Sequence, residues 1–116
     1  MREEILFRIL KIGHNTSIRG AGISLESALS QSKYLENSAN FDVEDLLQVI
    51  KLNPPLVNEW VMYSEDKRTS SGFYISNNQI GSIEKPNKKY RFDSKEELIA
   101  NYVIKELDFW VNHGKQ

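Results

Sequence analysis

"GFYISNNQIGSIEKPNKKYRF", residues 72–92, is where the apolar pattern of the chain changes its period. The apolar residues here come in short pieces, separated by Asn77-Asn78 and by Pro86-Asn87. Asparagine pairs and Pro-Asn favour tight turns, and segments rich in aromatics and isoleucine favour strands. The economical reading is a three-stranded antiparallel meander, and it makes the chain α+β, because the sequence on both sides reads as helix.

Downstream, "SKEELIANYVIKELDFWVNHG" (94–114) has Ser94 and Glu97 spaced for a capping box and Gly114 placed to end a helix. Leu98, Ile99, Tyr102, Val103, Leu107 and Trp110 form a continuous stripe, which is expected to cover the sheet. Upstream, "REEILFRILKIG" repeats Ile5, Leu6, Ile9 and Leu10 at helical spacing, with Gly13 placed as its terminator. "HNTSIRGAG" then reads as a loop, and Ser24 as the cap of a second helix bearing Leu25, Ala28 and Leu29. "ENSAN" (36–40) reads as a connection.

In "FDVEDLLQVIKL" Asp42 can cap, Phe41 can staple against Leu46, and Val43, Leu46, Leu47 and Ile50 make the buried stripe. "NPP" stops that helix and opens another, with Asn53 as its cap and Leu56, Val57, Trp60 and Val61 on one face. A strand from Val57 to Tyr63 is the rival reading. "SEDKRTSSG" (64–72) is read as the connection into the meander and as a rim of a binding face.

With 116 residues, 40% hydrophobic and 27% charged, the chain suits one compact domain spanning 1–116. No apolar run approaches the roughly 20 residues of a membrane-spanning helix, and acids near the start argue against a signal peptide, so a cytoplasmic protein is expected. Cysteine is absent, which removes disulfides, thiolate nucleophiles and cysteine metal ligands together.

Charge is segregated although the net value is only −1. From Tyr34 to Asp66 the seven acids Glu36, Asp42, Glu44, Asp45, Glu59, Glu65 and Asp66 face one base, Lys51, a sum of −6. From Lys67 to Lys95 seven bases face Glu84 and Asp93, a sum of +5. Such an acidic stretch can steer the protein onto a basic partner.

Catalytic inventory is thin. Neither His14 nor His113 has partners at metal-ligand spacing, His113 suits the last turn of a helix, and His14 lacks an orienting acid nearby in sequence. "GAG" (20–22) is far short of a phosphate-binding loop. No catalytic residue, metal site or cofactor is therefore expected, and the chain is not read as an enzyme. The basic segment 85–95 interleaves Lys85, Lys88, Lys89, Arg91 and Lys95 with Tyr90 and Phe92, a composition that can pair phosphates and stack bases. Against a nucleic-acid module, Tyr90 and Phe92 are wanted by a small core.

In its organisation the chain resembles the small immunity proteins of bacterial toxin–immunity systems, including contact-dependent growth inhibition, through "EWVMYSEDKRTSSGFYI" and "FDSKEELIANYVIKELDFW". The resemblance implies an inhibitor that binds the toxin domain of a cognate effector, often a nuclease, and blocks it without chemistry. The expected partner-binding residues are the seven acids, with Tyr63 as an aromatic anchor and Trp60 assigned to the core. A nucleic-acid-binding module on segment 85–95 is the alternative.

Overall fold

The computed structural model describes residues 2–16, 22–66, 72–83, 85 and 87–113. Helices α1 (Arg2–Leu10), α2 (Ile12–Thr16), α3 (Leu25–Ser32) and α4 (Tyr34–Asn37) lead through a short 3-10 turn (Ser38–Asn40) to α5 (Val43–Leu52) and α6 (Pro55–Asp66). Strands β1 (Phe73–Ser76), β2 (Gln79–Ser82) and β3 (Lys89–Arg91) follow, and α7 (Lys95–His113) closes the fold. The strands pair antiparallel in the order β1-β2-β3, so the meander is present, and α7 packs on the sheet and on α5 and α6. The fold is α+β.

The core gathers Leu6, Ile9 and Leu10 of α1, Leu46 and Ile50 of α5, Leu56 and Trp60 of α6, Ile80 of β2, and Ile99, Tyr102 and Leu107 of α7. Trp60, Tyr63 and Tyr102 pack edge to face around one another, with centroids 5.1–6.3 Å apart.

Local chemistry explains most of the boundaries. The Ser24 hydroxyl accepts the Ser27 N–H at 3.1 Å, and Lys33, at φ 58°, ends α3 in the left-handed region. Asp42 and Asp45 cap α5 reciprocally at 3.0 and 3.1 Å. Ser94 accepts the Glu97 N–H at 3.2 Å, while the carboxylate that answers the cap is Glu96, accepting from the Ser94 hydroxyl. Gly114 lies outside the described residues.

Several expectations change. Gly13 does not terminate a helix: the first helix breaks at Lys11, and Gly13 and His14 belong to α2. A Cβ on Gly13 would lie 2.8 Å from Cδ2 of Trp60, so glycine stands there because the indole lies against the backbone. Asn53 caps the end of α5 by donating from its amide to Val49 O at 2.9 Å. Phe41 packs edge-on against Tyr34, with centroids 6.0 Å apart. Residues 57–63 are helical, which removes the strand reading, because the Pro54-Pro55 start and the buried spacing of Val57, Trp60 and Tyr63 suit α6. Ser64, Glu65 and Asp66 complete α6 and are not part of a connection. Residues 67–71 of that stretch, and 17–21 of the expected first loop, lie outside the described residues.

Candidate functional site

Two edges of the small sheet are treated in opposite ways. Pairs 74/81 and 76/79 join β1 to β2, so the peptide groups of Phe73 and Ile75 point away from the sheet. Helical side chains meet them. Phe73 N–H donates to Glu106 Oε1 at 2.8 Å, Phe73 C=O accepts from the Tyr102 hydroxyl at 2.8 Å, and Ile75 N–H donates to Ser64 Oγ at 2.8 Å. The second oxygen of Glu106 accepts from the Tyr63 hydroxyl at 2.6 Å and from Trp110 Nε1 at 2.9 Å. This carboxylate is fully buried and fastens β1, α6 and α7 together. Burial first, and then the Glu106 charge, push the phenols of Tyr63 and Tyr102 well above the usual range.

That network settles the place of Tyr63. As an aromatic anchor it would have to reach a partner, but it is 6% exposed and its hydroxyl is committed to Glu106. Sequence reading passed over Glu106, although it falls seven residues after Ile99 and four before Trp110, on the buried stripe of α7. Trp60 is core as expected, with its indole N–H donated to Leu10 O at 2.7 Å.

The acids do not converge on one surface. Asp42 and Asp45 cap α5. Glu59 binds Lys11 through both oxygens, at 2.9 and 3.0 Å. Glu65 lines a recess of about 220 Å³ with Val57, Val61 and Ile75, beside Lys95 at the start of α7. Asp66 ends α6. Glu36, Asp42 and Glu44 are exposed at a corner made by α4, the 3-10 turn and the start of α5. That corner is tied to the far end of α7, where the Tyr34 hydroxyl donates to Asp108 Oδ1 at 2.7 Å. Lys95 and Asp108 are about 20 Å apart along the helix, at 1.5 Å per residue. The Glu65 recess and the acidic corner are therefore separate places.

The corner has the makings of a contact surface. Leu35, 49% exposed, stands next to Glu36, and Glu44 accepts from the Gln48 amide at 3.0 Å. A second exposed apolar feature is a groove of about 600 Å³ between α1 and α5, where Phe7 and Leu52 are 39% and 76% exposed among charges of both signs.

On the basic side, Lys85, Lys88, Lys89 and Arg91 are all exposed. Tyr90, expected in the core, is 36% exposed and is covered by Lys105 of α7, whose Nζ lies 3.8 Å from the ring centroid. It sits on the core-facing side of the sheet, paired with Ile80, but at the edge where α7 no longer encloses it. Phe92 is half-buried against the core.

Among the described residues no group of three or more His, Asp or Glu is placed to hold a metal ion. Among the described residues, too, no helix is long and apolar enough to cross a membrane. No family model, curated protein or solved structure matches the chain.

Proposed function

We propose that this protein is an immunity-type inhibitor, which binds a cognate toxin domain one to one and neutralises it by occlusion rather than by chemistry. The observation that supports it is the acidic corner: Glu36, Asp42 and Glu44 are exposed, as is Leu35 beside Glu36 in the chain, and Lys51 is the one base in the sequence from Tyr34 to Asp66. Acids placed around an apolar contact steer a basic partner and let it desolvate a small centre. Glu59 and Tyr63 are assigned to the fold in this reading, and the partner-binding set narrows to Glu36, Asp42, Glu44 and Leu35, with Glu65 on a separate rim. A toxin whose substrate is a polyanion would present the basic cleft that such a corner fits.

The experiment is capture from a lysate of the producing bacterium at low and high salt, followed by binding of the recovered protein to a Glu36→Lys/Glu44→Lys variant. A basic protein fragment, held one to one at low salt and bound at least tenfold more weakly by the variant, supports the reading. A partner bound equally well by both forms removes the acidic corner from it.

A nucleic-acid-binding module on Lys85, Lys88, Lys89 and Arg91 is the second reading, favoured by the exposure of all four and of Tyr90. Salt-dependent retention of RNA or DNA, lost when the four are neutralised, is its test.

A further inference from the structure

The two edges of the sheet differ in a way that the charge map alone does not show. The outward peptide groups of β1 are answered by Glu106, Tyr102 and Ser64. Among the described residues, no side chain answers those of β3 in the same way. Ile80 pairs with Tyr90, Ser82 N–H donates to Lys88 O, and Phe92 N–H donates to Asn78 O, so Lys88, Tyr90 and Phe92 turn their peptide groups toward β2. By the alternation of an antiparallel ladder, Lys89 and Arg91 turn theirs outward, along an edge whose side chains are exposed.

We propose that this open edge takes an extended, acidic segment of a protein partner as a fourth strand. Donors and acceptors alternate along the edge, and a strand answers both, whereas a polyphosphate offers acceptors only. Charge selects the occupant. Lys89 and Arg91 lie on the outer face of the sheet, and Lys105 stands at Tyr90 on the inner face, so alternate acidic side chains of an added strand would meet cations on either side. A second copy of this chain is disfavoured, because β3 against β3 sets like charges opposite one another. This edge does not depend on the inhibitor reading.

The ladder supplies a selective probe. Proline at position 91 deletes an outward N–H and leaves the bonds to β2 intact, as edge strands tolerate, whereas Arg91→Ala removes the charge and keeps the N–H. Random nonapeptides displayed on phage are panned against the whole chain at low salt, and the enriched peptide is measured against wild type, Arg91→Ala and Arg91→Pro. The expected peptides are acidic, bind Arg91→Pro at least tenfold more weakly than Arg91→Ala, and lose binding when alternate peptide nitrogens are methylated. The methylated peptide keeps the test decisive if Arg91→Pro fails to fold. No enrichment, enriched peptides without acids, or equal binding of the methylated peptide overturns the proposal. So does a single-stranded DNA dodecamer that is retained where no peptide is enriched, which would assign these cations to phosphate.

Discussion

Glu106 ties three elements together, because one buried carboxylate accepts from a strand N–H, a phenol and an indole on β1, α6 and α7. Replacing it by leucine removes the acceptor that these three donors share, and a loss of about 3 kcal/mol is expected from the urea midpoint. Glu106→Gln keeps one acceptor but turns an NH2 toward groups that donate, so it recovers only part of that loss. Gly13 is the second such position. Alanine gains about 1 kcal/mol in helix propensity, but its Cβ would meet the Trp60 ring at 2.8 Å. Overpacking costs about 1–3 kcal/mol, so Gly13→Ala should unfold at lower urea than wild type. A higher midpoint would mean that the indole has room to yield. Both residues were illegible for the same reason: a glutamate and a glycine reveal their roles only through a partner far along the chain. Glu106 meets Tyr63 across 43 residues.

At the scale of elements the sequence was far more transparent. Several local signals were realised: the Ser24 and Asp42 caps, the proline start of α6, the Asn77-Asn78 turn with Asn77 at φ 56°, and the Ser94 cap, whereas Gly13 did not end a helix and Glu96, not Glu97, answered Ser94. The candidate site was less legible. Glu36 and Glu44, expected on a partner-binding face, are exposed, but the pairing of Glu59 with Lys11 and the burial of Tyr63 follow from tertiary packing. The contacts of α4 with α7 also carry a pH dependence. Burial, followed by the hydrogen bond to Asp108 and its charge, raises the Tyr34 phenol above its ordinary value, as burial does for Tyr63 and Tyr102. A phenol raised in the fold contributes stability in full below its unfolded value near 10, and that contribution is lost as pH rises beyond it. Urea midpoints measured from neutral pH to about pH 11 should therefore fall steeply above pH 10, and less steeply in Tyr34→Phe. Parallel curves for the two proteins would show that Tyr34 does not contribute.

For the whole molecule, the charge segregation of the sequence becomes two exposed features of opposite sign on one core. The α4–α5 corner offers exposed acids and the exposed Leu35, and the β3 edge offers cations beside outward peptide groups. The core that joins them is closed without disulfides, through buried aromatics and the Glu106 network. Reversing charge at the corner should slow association and leave folding unchanged, since exposed charges steer encounters more than they stabilise folds. The most direct measurement is the association rate of the captured toxin domain with wild type and with Glu36→Lys/Glu44→Lys, at low and at high salt. An association rate at least tenfold slower in the variant at low salt, with the difference shrinking as salt screens it, is the expected result. Equal rates at both salt concentrations would contradict the inhibitor reading of this corner.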